Sequence, residues 1–527
     1  MIDSRDADHP REACGVVGLH APGRPVAQLT YLGLFALQHR GQEAAGMAVS
    51  DGDTLTVVKD QGLVASVFDD RTLAGLTGHL AIGHCRYSTT GSSTWRNAQP
   101  AYRSVGERMF ALGHNGNLVN TEELAAEAGM LEGTVTSDSD LVAELIAAEI
   151  SADLAAEQLA ELGAPLDLSG TDSPRADLER AVATVMPRLR GAFSFVIMDE
   201  TRVIGVRDAH GFRPLCLGRL DGAAAGAAPA GDAAPTGWVL ASETPALDIV
   251  GATFVRELEP GEMVVVDADG VRSLHPFDAT AVDPRLCLFE FVYFARPDSR
   301  LYGQSIHQAR MRMGEQLADQ APVEADMVMG VPESGVPAAE GFARRSGIPL
   351  GQGLVKNRYI GRSFIAPSQE MRAEAVRMKL NPLRENIDGK RLVVVDDSIV
   401  RGTTQRQLVR MLREAGACEV HLRITSPPVA WSCFYGIDTG DRDELIAHNL
   451  GIDEIRRYLN LDTLAYLGLD RLVEATGASG AGFCDACFTG SYPVPVPVTL
   501  RKHVLERDGA GNAGGRVVQP ALDGTTA

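Results

Sequence analysis

The sequence predicts two folds in tandem, a layered α+β domain followed by an α/β domain built on a parallel sheet. Three observations carry this. The first half is crowded with short strand candidates, LTVVK, LAIGHCRYS, MFALGHN and FSFVIMD, interleaved with helical stretches near 29–38, 121–130 and 138–150. The second half changes rhythm: VMGVP, a helix near 335–346, RLVVVDD, a helix near 403–415 and VHLRIT alternate strand and helix, the spacing of a parallel sheet with crossover helices. At 527 residues the chain is also too long for one hydrophobic core.

Composition narrows the function classes. A formal charge of −20 argues against nucleic acid or an anionic membrane as the main partner, so any phosphate site must be local. The first thirteen residues, MIDSRDADHPREA, carry Asp3, Asp6, Asp8 and Glu12 and hold no apolar run, which excludes a secretory signal; no later stretch reads as a membrane span, and a cytoplasmic protein is expected. Eight cysteines in a chain of this size and compartment point to catalysis, metal binding or free thiols rather than a disulfide framework. The Ala/Gly-rich piece 221–237 reads as a surface loop between LCLGRL and WVLAS, the pattern loosens over 270–286, and the Gly-rich tail 505–527 reads as disordered.

The run Cys14-Gly15-Val16-Val17-Gly18 follows the polar leader directly. If residues 1–13 are removed, Cys14 holds both a thiol and a free α-amine, and an amine titrating near pH 7.7–8.0 can act as the thiol's own base. Alone, Cys14 reads as a buried small hydrophobe opening a strand rather than a catalyst. Three further segments bear on it: Leu37-Gln38-His39-Arg40-Gly41-Gln42-Glu43-Ala44-Ala45-Gly46, Gly83-His84-Cys85-Arg86-Tyr87-Ser88-Thr89, and His114-Asn115-Gly116-Asn117. NAQP at 97–100 and Thr136-Ser137-Asp138-Ser139-Asp140 fit the same pattern. Singly, an Asn-Gly is a turn and an Asp before a helix is a cap. In this order they resemble the N-terminal-nucleophile glutamine amidotransferases over residues 14–260. The resemblance makes Cys14 the nucleophile, places the oxyanion on Asn115 and the Gly116 N–H, and gives the glutamine carboxylate to Arg86 and its ammonium to Asp138.

In the second half, a buried strand delivers Asp396 and Asp397 to its C-terminal end, and Ser398-Ile399-Val400-Arg401-Gly402-Thr403-Thr404 then opens a helix. Open parallel sheets bind ligands at that end, and a helix N-terminus offers unpaired N–H groups to a phosphate. The segment resembles the signature of type I phosphoribosyltransferases. That resemblance assigns Asp396 and Asp397 to the ribose and Mg²⁺, Arg401, Gly402, Thr403 and Thr404 to the 5′-phosphate, and Val331–Pro337 to the pyrophosphate, with Ser334 joining the metal. Lys356-Asn357-Arg358-Tyr359-Ile360-Gly361-Arg362-Ser363 is a basic stretch in an acidic protein. It resembles the loop that closes over the diphosphate in glutamine phosphoribosylpyrophosphate amidotransferases, with Lys356 and Arg358 as substrate contacts.

Cys287, Cys433 and the CxxC pair Cys484 and Cys487 can close a four-cysteine site for either Zn²⁺ or an iron–sulfur cluster, and spacing does not choose. Their contexts resemble the subgroup of that family with a [4Fe–4S] cluster and a cleaved leader; Cys85, Cys216 and Cys418 lack such contexts and read as structural. The expected organisation is a leader 1–13, a glutaminase domain 14–260, a phosphoribosyltransferase domain 285–475, a cluster-binding segment 476–504 and a tail 505–527. The family implies that ammonia from glutamine displaces pyrophosphate from phosphoribosylpyrophosphate, the first committed step of purine synthesis. It further implies a shielded ammonia passage near Tyr87 and Ile360, purine nucleotide inhibitors and a homo-oligomer, tetramer or dimer. A sugar isomerase partner domain, as in glucosamine-phosphate synthases, would lack VVVDDSIVRGTT.

Overall fold

The computed structural model describes residues 14–87, 94–131, 133–161, 178–221, 236–357, 379–437, 439, 441–478 and 482–497. The leader, Arg358 and Ile360, the Ala/Gly-rich loop interior and the tail beyond 497 lie outside the described residues. The described chain forms two compact units. One holds 14–286 together with Phe434–Ile437 and the stretch from Pro493; the other holds Cys287–Cys433 and the residues that follow Ile437 up to Tyr492.

The first unit is a four-layer sandwich. Strands β1 (Gly15–His20), β2 (Ala44–Ser50), β3 (Leu55–Gln61), β4 (Leu80–Arg86), β9 (Cys216–Leu220), β10 (Gly237–Ala241) and β11 (Thr253–Glu257) form a sheet in the order β11-β9-β10-β1-β4-β2-β3. Strands β5 (Ala101–Val105), β6 (Arg108–Leu118), β7 (Gly191–Met198), β8 (Val203–Arg207), β12 (Met263–Asp267) and β13 (Gly270–Leu274) form the second, in the order β13-β12-β8-β7-β6-β5. Val16, Ile82 and Leu240 of the first sheet meet Ala111, Val196 and Val264 of the second in one buried cluster between them. The outer face of the first sheet is covered by α1 (Val26–Ala36) and α4 (Thr244–Val250), that of the second by α2 (Asp138–Glu161) and α3 (Leu178–Val185). Both faces of β1, β4 and β7 are therefore buried, which is why GVVGLH and GAFSFVIM read as continuous apolar runs rather than alternating ones. In α1 the buried set Val26, Ala27, Thr30, Gly33 and Leu34 repeats at helical spacing and faces the sheet.

The second unit carries a parallel sheet of β14 (Met327–Gly330), β15 (Arg391–Asp396), β16 (Glu419–Ile424) and β17 (Thr463–Tyr466), adjacent in that order. Helices α5 (Ile306–Gln320), α6 (Val336–Ser346) and α7 (Thr403–Glu414) belong to the same unit. Helix α7 buries Gln405, Leu408, Val409 and Leu412, the stripe expected of a crossover helix. A short antiparallel pair, Leu354–Lys356 with Leu380–Pro382, brings together the two sides of the basic stretch, whose interior lies outside the described residues.

Candidate active sites

In the first unit, β1 and β4 pair antiparallel with Gly15 opposite Cys85, which sets Cys14 beside Arg86 at the end of the ladder. The Cys14 side chain is buried, its Sγ–H donates to the Tyr87 carbonyl at 3.2 Å, and the Tyr87 N–H donates back to the sulfur at 3.3 Å. Burial pushes the thiol up to about 11; the Tyr87 backbone and the Arg86 charge pull it down, while Asp138 and Glu43 push it further up. The Asp138 charge therefore reaches Cys14.

Strand β6 carries the next two predicted residues. Asn115 is fully buried and neither atom of its side-chain amide has a hydrogen-bond partner in the structure. A buried amide left this way normally costs stability, so the position is held for something other than folding. Gly116 follows at φ +152, and a Cβ there would stand 2.0 Å from the Ala192 carbonyl oxygen, so only glycine fits. Asp138 begins α2, where Ser137 caps the first turn by accepting from the Asp140 N–H at 3.2 Å. Burial by itself raises the Asp138 carboxyl, but the His114 ring 3.5 Å away and the N–H groups of Leu118 (3.3 Å) and Ser139 (2.8 Å) hold it below its ordinary value. It is a carboxylate, the form that pairs with an ammonium.

Two residues within the quoted runs, not singled out in the sequence, brace this strand. Gln99 accepts from the His114 N–H at 2.7 Å and donates to Ser139 Oγ at 2.9 Å, tying NAQP to both β6 and α2. His84 is fully buried, and burial lowers its pKa to about 3, so the ring is neutral. Its Nε2 lies 2.9 Å from the His114 carbonyl and must donate to it, which fixes the peptide that leads into Asn115. Cys85 and Cys216 are buried thiols donating to backbone carbonyls, whereas Cys418 is exposed.

In the second unit, β15 ends at Asp396 and Asp397 follows it, both buried. The Asp397 N–H donates to Asp396 Oδ1 at 2.9 Å, the Ser398 hydroxyl to Asp397 Oδ1 at 2.6 Å, and Gln405 of α7 to the Ser398 carbonyl at 3.1 Å. Thr403 and Thr404 form the first turn of α7 after Gly402. Arg401 departs from the simplest picture: its Nε and Nη2 donate to Glu444 Oε2 at 3.0 and 2.5 Å, so its guanidinium serves that carboxylate in this structure. Ser334 sits in the turn between β14 and α6, where the Val331 N–H and the Val395 carbonyl join the turn to β15 at 2.9 Å. Exposed Lys356 lies 3.6 Å from Glu333 of that same turn.

The oxygen-only donors of Asp396, Asp397 and Ser334 fit Mg²⁺, which keeps waters and needs few protein ligands. The four cysteines fit a soft metal centre less completely. Burial raises the Cys484 and Cys487 thiols well above their ordinary value, and the charges of Cys287 and Cys433 raise both further. Among the described residues, however, no three or more His, Cys, Asp or Glu side chains form a ready metal-binding group. Nor, among the described residues, is any helix long and apolar enough to cross a membrane.

A buried thiol at the end of the β1–β4 ladder, a buried Asn amide without a partner on β6, and an acidic pair leading through a glycine into a helix start fit a glutamine amidotransferase joined to a phosphoribosyltransferase. Comparison with known proteins agrees. A glutamine amidotransferase domain family matches residues 84–229 and a phosphoribosyl transferase domain family residues 301–425. The amidophosphoribosyltransferase of Mycobacterium tuberculosis is 52% identical over 517 residues, covering 95% of this chain and 90% of that protein; that of Bacillus subtilis is 43% identical over 504 residues, covering 94% and 97%. The solved glutamine phosphoribosylpyrophosphate amidotransferase from B. subtilis complexed with ADP and GMP aligns with a TM-score of 0.78 at 42% identity, over 92% of this chain and 98% of that one. The chain belongs to the amidophosphoribosyltransferase family, the pentosyltransferases that use glutamine and phosphoribosylpyrophosphate in the first step of purine biosynthesis.

Proposed function

We propose that Cys14 attacks the glutamine amide carbon, with Asn115 and the Gly116 N–H receiving the oxyanion and with Arg86 and Asp138 holding the amino acid. The observation that carries this is the buried, unpartnered Asn115 amide next to a glycine that no other residue can replace. The thiol needs help. With its pKa at about 11, ionising it at neutral pH costs roughly 5 kcal/mol. While residue 13 is attached, the Cys14 nitrogen is an amide and cannot take the proton; after removal of 1–13 it is an amine that can. The thiol proton then passes to the α-amine and onward to the departing ammonia, and water hydrolyses the resulting thioester to glutamate. The intact mass of fully active enzyme should correspond to a chain beginning at Cys14. Full glutamine-dependent activity in protein that keeps residues 1–13 would refute the free-amine base.

At the acceptor site, Asp396 and Asp397 hold the ribose hydroxyls and Mg²⁺, with Ser334 beside them, while Gly402, Thr403 and Thr404 hold the 5′-phosphate. Arg401 supports that loop through Glu444 and is freed for the phosphate only if that pair opens. Bound Mg²⁺ would offset the diphosphate charge as pyrophosphate leaves. Lys356 and Arg358 bind the diphosphate, and ammonia displaces it at the ribose C1 through a passage shielded from water. We read the glutaminase as 14–260, with β12 and β13 completing its second sheet out to Leu274, the transferase as 285–475 and the cysteine-rich segment as 476–504.

The reading extends to a cytoplasmic homo-oligomer, tetramer or dimer, inhibited by purine nucleotides; the B. subtilis relative solved with ADP and GMP supports the last point. It also includes a [4Fe–4S] cluster on Cys287, Cys433, Cys484 and Cys487, supported by the sequence contexts of the four cysteines, CLFEFVYFARPDS, SPPVAWSCFYGID and GFCDACFTGSYP. With no electron to deliver, such a cluster ties the end of the chain to the transferase unit. Anaerobically purified protein should be brown and contain iron and acid-labile sulfide in equal amounts. Colourless protein with stoichiometric zinc would sink the cluster.

A further inference from the structure

The chain leaves the glutaminase unit at residue 286 and returns to it for four residues, Phe434–Ile437, then again from Pro493. This short strap lies directly on the oxyanion strand β6. Asn117 Nδ2 donates to the Phe434 carbonyl at 3.0 Å, across 317 residues of sequence. The fully buried Arg213 donates to the Tyr435 carbonyl from Nε at 3.1 Å and from Nη2 at 2.8 Å. The Tyr435 ring stacks on Phe212 with centroids 4.5 Å apart, and its hydroxyl donates to the Val494 carbonyl at 2.5 Å and accepts from the Val494 N–H at 3.0 Å. Gly436, at φ +99, presses against the catalytic glycine: a Cβ there would lie 3.0 Å from both Cα and C of Gly116 and 3.2 Å from Arg213 Nη2.

Gly116 is thus held between two backbones, the Ala192 carbonyl on one side and Gly436 on the other. An oxyanion hole works only while its donors are fixed where charge develops, and small displacements are costly: a shift of about 1 Å can lose 10²-fold in rate. The residues that would hold glutamine's amino-acid end, Arg86 and Asp138, lie on β4 and α2, whereas the strap's contacts described above fall on Asn117 and Gly116 of β6 and on Phe212 and Arg213. We propose that the strap Phe434–Ile437, clamped by Arg213, is a positioning element of the oxyanion hole that sets the rate of amide cleavage without contributing to glutamine affinity. The inference rests on the assignment of Asn115 and Gly116 to the oxyanion.

Full-length enzyme carrying Gly436→Ala tests it, assayed with glutamine and, separately, with ammonia as nitrogen donor. The expected result is a fall of about 10²-fold in kcat with glutamine, an unchanged KM for glutamine and an unchanged ammonia-dependent rate. Arg213→Lys, which keeps the charge but not the two-pronged grip, should show the same split more mildly than Arg213→Met. Asn115→Ala serves as the reference. If Asn115→Ala leaves glutamine use intact, the assignment of the oxyanion hole is wrong. If Asn115→Ala slows glutamine use while the strap variants keep wild-type kcat, or if they raise KM instead or lose both donor activities together, the strap is not a positioning element.

Discussion

Cys14→Ala is expected to abolish glutamine-dependent phosphoribosylamine formation while leaving the ammonia-dependent reaction near the wild-type rate. The loss should be very large, because removing a covalent nucleophile from a comparable acyl-transfer site costs on the order of 10⁶ in kcat. No neighbouring group can replace it. Tyr87 meets the sulfur through its backbone N–H and carbonyl, and the thiol of Cys85 donates to the Leu37 carbonyl. Alanine is also a mild change structurally, since Cys14 sits at the end of the β1–β4 ladder rather than in its middle. Following pyrophosphate with each donor reads both halves. A variant that still uses glutamine, or one that loses the ammonia reaction equally, would contradict the assignment.

Asp397→Asn should have the complementary effect. The substitution keeps size and buries no new volume, yet it removes one of two adjacent carboxylates and places an amide where the Ser398 hydroxyl now donates to Oδ1. Losing one preorganised electrostatic group at a reacting centre typically costs 10²–10³ in kcat, and loss of a shared metal contact adds to that. Both the glutamine- and the ammonia-dependent transfer rates should therefore fall by at least about 10²-fold. Hydrolysis of glutamine to glutamate should persist, because Cys14 and its partners belong to the other unit. A wild-type ammonia-dependent rate in this variant would remove Asp397 from the acceptor site.

Much of this was legible in the sequence because the chemistry is local. RLVVVDDSIVRGTT is one strand, one turn and one helix start, and the structure places β15 and α7 within a residue of where the pattern put them. Cys14, Arg86 and Asp138 were readable as motifs because each stands at an end of its element, and Asn115 because a glycine in a conformation other residues avoid follows it. What was hidden is what depends on contacts between distant segments. Nothing in FYGI announces that Phe434–Ile437 joins the glutaminase unit, since its partners Asn117 and Arg213 lie hundreds of residues upstream. His84 and Gln99 stood inside quoted motifs, but their roles follow from burial and from which carbonyl or N–H they reach, which spacing does not encode. Arg401 shows the converse: the residue was found, yet its guanidinium meets Glu444, a partner visible only once the chain is folded.

The central claim is that one chain frees ammonia from glutamine at Cys14 and spends it on a phosphoribosyl acceptor at Asp396 and Asp397. The direct measurement is the yield of glutamate and of pyrophosphate in the same reaction with saturating glutamine, phosphoribosylpyrophosphate and Mg²⁺. Equal yields, with both reduced together by Cys14→Ala, are predicted. Pyrophosphate released without matching glutamate, or unaffected by loss of Cys14, would contradict it.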